Sequence, residues 1–240
     1  MLIAIDAGNT RIKWGLHDGT AWMAQGALPN AAAAAQLAEL GEQWPDAARV
    51  VGCNVAGSAV EEDIAVALAP RYSPPLWLRS SAAACGVSNG YEQPERLGAD
   101  RWAALIGARG QAAGDCLVVC AGTATTVDWL DGSGVFRGGL ILPGLDLMRA
   151  SLASNTAQLP LADGNFVREP RNTMDAIISG CLHAQIGAIE RMFGQIATAP
   201  RAICLLTGGA AQRIAPLLSI PFELTDNLIL EGLLRYGASL

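Results

Sequence analysis

One pattern in this chain occurs twice, and it limits the fold more than any other feature. Ile3-Ala4-Ile5-Asp6-Ala7-Gly8-Asn9 joins an apolar run to Ala-Gly and a short polar residue, and Leu117-Val118-Val119-Cys120-Ala121-Gly122-Thr123 repeats it. Each copy leads into two further strand-like runs. The first pair is 11–17 and 21–27 around Asp18-Gly19, and the second is 125–130 and 135–142 around Asp131-Gly132-Ser133-Gly134. Short apolar runs bounded by Gly-containing turns predict a three-stranded meander in each half. One supersecondary unit present twice predicts two similar halves.

The meanders are followed by helical and strand-like segments in alternation. Helices are expected near 31–41, 58–69, 144–157, 173–197, 211–218 and 227–238, with one opening at Gly98-Ala99-Asp100-Arg101 and running to about 113. Further strands are expected near 48–54, 75–79 and 202–206, and 85–98 reads as a loop rich in Gly, Ser, Asn and Pro. Alternating strands and helices imply a layered α/β fold. The expected division is 1–114 and 115–240, the two halves facing each other across a cleft of the kind in which small ligands bind.

Composition removes several classes of function. Hydrophobic residues make up 51% of the 240 and charged residues only 16%, the profile of a chain with a sizeable core. A net charge of −6 opposes the basic stripe that phosphate-backbone binding needs, so nucleic acid is not expected as a direct partner. Met1 to Ile5 carries no basic flank and is broken by Asp6, and no apolar run approaches the ~18 residues of a membrane span, so a cytoplasmic protein is expected. Cys53, Cys85, Cys116, Cys120, Cys181 and Cys204 form no C-x-x-C pair and read as reduced, mostly buried thiols. With only His17 and His183, there is little material for a histidine metal site or triad.

The Gly turns carry the chemistry. In Asp6-Ala7-Gly8-Asn9-Thr10, Gly8 permits close backbone approach, and successive N–H groups can surround a phosphate oxygen. Asp6 can orient the waters of a phosphate-bound Mg²⁺, and Lys13 on the returning strand can reach the same phosphates. A plain hairpin turn fits this pentapeptide equally well. Two echoes favour the phosphate reading: Gly122-Thr123-Ala124-Thr125-Thr126 after the second apolar run, and Thr207-Gly208-Gly209-Ala210 after a third. No Walker A lysine pattern and no G-x-G-x-x-G fingerprint occurs at these turns.

Together these motifs resemble the superfamily of sugar kinases, actin and heat-shock chaperone ATPases, and within it the type III pantothenate kinase family. The resemblance rests on Asp6-x-Gly8-Asn9-Thr10, Tyr91-x-x-Pro94-x-x-Leu97-Gly98-x-Asp100-Arg101, Gly122-Thr123-Ala124-x-Thr126-x-Asp128, Gly138-Gly139-x-Ile141-x-Pro143-Gly144 and Asn172-Thr173. It implies duplicated actin-like, ribonuclease H-like domains and ATP-dependent phosphorylation of pantothenate, the first step toward coenzyme A. It also implies that Asp100 is the general base and that Tyr91, Gly98, Ala99, Asp100, Arg101 and Thr173 contact pantothenate. Asp6, Ala7, Gly8, Asn9, Thr10, Arg11, Ile12, Lys13 and Thr123 then contact ATP, and members are homodimers with the substrate pocket near the dimer interface.

Elementary chemistry is consistent with that assignment. Phosphoryl transfer needs positioning and charge neutralisation more than covalent catalysis, so one carboxylate, Mg²⁺ and backbone donors suffice. Asp100, at a helix N-terminus, is expected to be kept ionised by the dipole, and Arg101 can pair with a substrate carboxylate. Each residue also has a plainer reading: Asp100 as a first-turn acid, Arg101 as a solvated helix residue, Tyr91 as a half-buried aromatic, Thr173 as a cap and Asp128 as a structural acid. One departure stands out, since the family's activating monovalent cation, K⁺ or NH₄⁺, is associated with an Asp at the position of Cys120. A thiol is a poor donor for such hard ions, which puts the cation in doubt. The competing readings are another kinase of the superfamily acting on a sugar or acetate, and a non-catalytic accessory factor in gene expression, a role described for relatives.

Overall fold

The computed structural model describes residues 1–46, 48–161 and 163–240. Its elements fall into two compact units. The first opens with β1 (Leu2–Ala7), β2 (Arg11–His17) and β3 (Trp22–Pro29), the expected meander. Then come α1 (Ala33–Gln43), β4 (Arg49–Asn54), α2 (Ser58–Leu68) and β5 (Leu76–Trp77). The sheet order is β3-β2-β1-β4-β5, with β1 antiparallel to β2 and parallel to β4. Every residue of β1 is buried, as a continuous apolar run at the centre of a sheet covered on both faces requires. Ile3, Ile5 and Ala7 face the core shared with Leu37 of α1 and Ile64 and Leu68 of α2. Alternation therefore puts Leu2, Ala4 and Asp6 on the opposite face.

The segment read from sequence as a loop contains a small ribbon, β6 (Ala83–Ala84) and β7 (Val87–Asn89), and a 3-10 turn at Pro94–Arg96. It delivers the chain to α3 (Ala99–Arg109), in which every residue from Arg101 to Ala108 is buried.

The second unit has its own meander: β8 (Cys116–Ala121), β9 (Ala124–Leu130) and β10 (Val135–Pro143). Within β10, Val135 and Phe136 pair with β7 and count with the first unit. After it come α4 (Leu145–Asn155), the 21-residue α5 (Thr173–Phe193), β11 (Ile203–Thr207), α6 (Ala211–Ile214) and β12 (Phe222–Leu224). Strands β12-β11-β8-β9-β10 are neighbours in that order, with β11 parallel to β8 and β8 antiparallel to β9. Ile177, Ile178, Cys181, Ile186 and Ile189 of α5 pack on Leu117, Val119 and Val127 of β8 and β9.

The last helix, α7 (Leu228–Ala238), was placed by the sequence reading in the second half. It counts with the first unit, packing on α3, β1 and β4, with Leu228, Leu230 and Leu233 buried. Its apolar stripe needs a core to cover, and Gly237 lies directly against Leu2 and Val51.

Candidate active site

In the first unit the Asp6–Thr10 turn follows directly from strand pairing. Register places Asp6 opposite Lys13 on β2 and beside Cys53 on β4, and the turn closes with Gly8 N–H donating to Arg11 O at 3.2 Å. Asn9, Thr10 and Arg11 are exposed at its tip, while Ala7 and Ile12 anchor it in the core. Asp6 is only 6% exposed. Burial pushes its carboxyl up from 3.8 to about 6; Lys13 opposes the shift, Asp100 adds to it, and the Cys53 thiol opposes it. Burial, with Asp6 and Asp100 nearby, in turn pushes the Cys53 thiol well up, so it stays protonated and donates to Asp6 Oδ1 at 3.6 Å. Asp6, Lys13, Cys53 and Asp100 thus form one electrostatic neighbourhood.

Asp100 sits in the first turn of α3, half-buried, and its Oδ1 accepts from the Arg101 N–H at 2.8 Å. That carboxylate lies over residue 98, where a Cβ would come within 2.7 Å of Oδ1. A side chain at 98 would have to displace that carboxylate. The expected effect of the helix dipole on Asp100 is outweighed, because burial raises the carboxyl above its ordinary value against the opposing pull of the Arg101 N–H and guanidinium.

Arg101 is not a solvated helix residue; it is 5% exposed. Its Nη1 donates to Tyr91 Oη at 2.7 Å, and the guanidinium lies 5.5 Å from the Tyr91 ring centre and 5.7 Å from that of Phe136. Tyr91 and Phe136 contact each other at 5.3 Å. The Tyr91 loop is tied by Asn89, whose Oδ1 accepts from Tyr91 N–H at 3.1 Å and whose Nδ2 donates to Pro94 O at 3.0 Å. Sequence reasoning singled out neither Phe136, which reaches this loop through the β7–β10 pairing, nor Asn89, whose bonds to Tyr91 and Pro94 are local.

In the second unit the equivalent turn closes more tightly, Gly122 N–H donating to Ala124 O at 3.0 Å. Register places Cys120 opposite Thr126, where the first turn has Asp6 opposite Lys13. Thr123 is exposed at the tip. Behind it lies Gly144, whose N–H donates to Thr123 O at 2.9 Å and whose Cβ, if present, would come within 2.1 Å of Gly122 O. Pro143 O accepts from Gln185 Nε2 at 2.7 Å. The Thr207-Gly208-Gly209-Ala210 turn adjoins, with Thr207 in register with Cys120 and Ala210 N–H donating to Ala121 O at 3.0 Å.

Thr173 opens α5 but does not cap it. Asn172 does, its Oδ1 accepting from Asp175 N–H at 2.9 Å. Thr173 is left exposed and lines a cavity of about 900 Å³ together with Asn172, Arg171, Pro143, Met148 and Cys181.

The donor set tests what ion the site would take. Among the described residues no group of three His, Cys, Asp or Glu could hold a metal by itself. A single buried carboxylate, Asp6, fits a Mg²⁺ that keeps waters and takes its other ligands from phosphates. The thiol of Cys120 does not fit a hard monovalent cation.

Among solved structures, a candidate Baf family transcriptional activator from Campylobacter jejuni aligns over 99% of this chain and 100% of its own, with a TM-score of 0.61 and 20% identity. Component A of the (R)-2-hydroxyglutaryl-CoA dehydratase of Acidaminococcus fermentans aligns over 98% and 95%, with a TM-score of 0.55 and 12% identity. These likenesses, with the duplicated meanders, define an actin-like α/β protein. A model of the type III pantothenate kinase family matches residues 2–195, and the type III pantothenate kinase of Aromatoleum aromaticum is 59% identical over 97% of this chain and 96% of its own length. The chain belongs to the type III pantothenate kinase family.

Proposed function

We propose that this protein transfers the γ-phosphoryl group of ATP to the primary hydroxyl of pantothenate, giving 4′-phosphopantothenate and ADP, the first step of coenzyme A biosynthesis, in the cytoplasm. The observation that carries the reading is the Asp100 carboxylate, held over Gly98 beside the Tyr91–Arg101 pair in the unit that also carries the Asp6–Thr10 turn. The substrate hydroxyl attacks the γ-phosphorus, the bond to the β,γ-bridging oxygen breaks, and the hydroxyl proton passes to Asp100. A carboxyl raised by burial is a better base than an ordinary one. Arg101, clamped by Tyr91 and Phe136, offers its charge to the pantothenate carboxylate without reorganising, and Gly98 and Ala99 complete that wall. Thr173, in the second unit, is a further proposed pantothenate contact through its hydroxyl.

ATP is held through the backbone from Asp6 to Lys13 and by Thr123, in domains divided near residue 114 apart from the returning C-terminal helix. Mg²⁺, when bound with the nucleotide, neutralises phosphate charge, and Asp6 would hold its waters. No helix among the described residues is long and apolar enough to cross a membrane. A homodimer is supported by the exposed apolar side chains Leu140, Ile141 and Leu147 on β10 and α4.

A coupled assay with ATP and pantothenate tests the assignment. Wild type turns over, and Asp100→Asn loses about 10²- to 10⁴-fold in kcat. The acid limb of kcat/KM lies above the ordinary carboxylate value, because Asp100 must be ionised and its pKa is raised. Equal turnover by the mutant would remove Asp100 from the role of base.

A further inference from the structure

The two turns share a feature that the catalytic assignment leaves unused. Asn30 and Gln185 each place a carboxamide against the backbone of, or next to, a phosphate turn, and each leaves its own amide oxygen buried without a hydrogen-bond partner. A buried orphan acceptor costs stability, so what each amide holds needs an explanation.

At Asn30 the contact is direct. Its Nδ2 donates to Gly8 O and to Asn9 O, both at 3.0 Å. The residue stands at the start of a 3-10 turn just past β3, whose last residue, Pro29, pairs with Arg11 at the exit of the phosphate turn. Pairing of β2 with β3 therefore fixes Asn30 beside residues 8–10. The flipped amide would face two carbonyl oxygens with a third, so the donor orientation is the only satisfied one.

We infer that Asn30 is a positioning residue for nucleotide binding, holding the first phosphate turn in the conformation that presents its N–H groups. The reason is peptide geometry. In a trans peptide C=O and the following N–H point in opposite directions, and no cis bond occurs among the described residues. Fastening Gly8 O and Asn9 O to Asn30 directs the N–H groups of Asn9 and Thr10 to the other side of the turn. An anion bound by that backbone meets donors already aligned rather than carbonyls that must first rotate away. This rests on the nucleotide reading of the turn given above.

The test measures ADP binding by calorimetry and steady-state kinetics for Asn30→Ala and Asn30→Asp, at a temperature where their circular dichroism matches wild type. Tyr72→Phe is the control. Tyr72 Oη also bonds two carbonyls, of Gly41 and Trp44, so its loss is chemically parallel in the same unit but away from the turn. The expected result is a rise in the Kd for ADP and the KM for ATP of about tenfold in Asn30→Ala, from two lost bonds. It is larger in Asn30→Asp, whose oxygens repel the carbonyls, while KM for pantothenate stays within about twofold and Tyr72→Phe binds ADP as wild type does. Unchanged ADP affinity in both Asn30 variants overturns the inference, and so does an equal loss in Tyr72→Phe. Wild-type ADP binding that weakens in the Asn30 variants without any pantothenate turnover would uphold Asn30 and reject the acceptor. Absence of wild-type ADP binding would reject both.

Discussion

The turn at Asp6–Thr10 and the turn at Gly122–Thr123 stem from the same pattern and end up chemically different. Where the first sets a buried Asp6 against Lys13, the second sets Cys120 against Thr126, a neutral pair. The first closes from Gly8 to Arg11 and the second from Gly122 to Ala124, one residue tighter. The first is fastened by Asn30 directly, the second through Gly144 and Pro143, with Gln185 one step further back. Duplication repeated the backbone, and the side chains then divided the work. On the proposed function, charge and metal handling fall to the first turn, while the second acts through N–H groups and a hydroxyl.

Exchanging the residues that differ separates the two turns most strongly. Asp6→Asn is expected to lower kcat by about 10²- to 10³-fold, the scale of losing one electrostatic group at the transferring phosphoryl, whereas Cys120→Ala stays within about threefold. Comparable losses at both positions would mean that the turns share the charge. The same Asp6→Asn change is expected to stabilise the ligand-free protein. The folded pKa of about 6 lies above the ordinary 3.8, so the folded state binds more protons between those values, and stability falls as pH rises through that window. Removing the acid thus gains up to about 3 kcal/mol above pH 6 and nothing below about pH 4, as read by urea denaturation. A pH-independent difference would contradict the burial argument.

Smaller effects sharpen the second turn. Thr123→Ala is expected to raise KM for ATP about tenfold by removing a hydroxyl donor, and Gln185→Met only about threefold, since it acts through Pro143 and Gly144. A Gln185 effect larger than that of Thr123 would reverse the proposed order of contacts. Smallest is the cation: replacing Na⁺ by K⁺ at constant ionic strength should change the rate by less than about twofold, because Cys120 offers sulfur where a hard ion needs oxygen. A large K⁺ stimulation would show that other oxygens complete such a site.

What was legible in the sequence was local. Asp6-Ala7-Gly8-Asn9-Thr10 and Gly98-Ala99-Asp100-Arg101 announce themselves because a turn or helix start and its chemistry lie within five residues. The contacts that complete them are not local. Cys53 meets Asp6 through parallel pairing, Asn30 meets Gly8 across the meander, and Phe136 meets Tyr91 through β7 and β10. The ribbon β6–β7 and the strand β12 have two or three residues each, too few for a period to register. The α7 stripe was visible as a helix, but an apolar stripe does not say which core it will cover. Asp100 carries the clearest lesson: a helix N-terminus predicts a stabilised carboxylate, and burial overrides it.

The most direct test follows the phosphoryl group itself. With ATP labelled in the γ-position, Mg²⁺ and pantothenate, the purified protein should move the label onto pantothenate in equal amount with ADP formed. Label released as free phosphate, or transferred only to a sugar or acetate acceptor, would contradict the account.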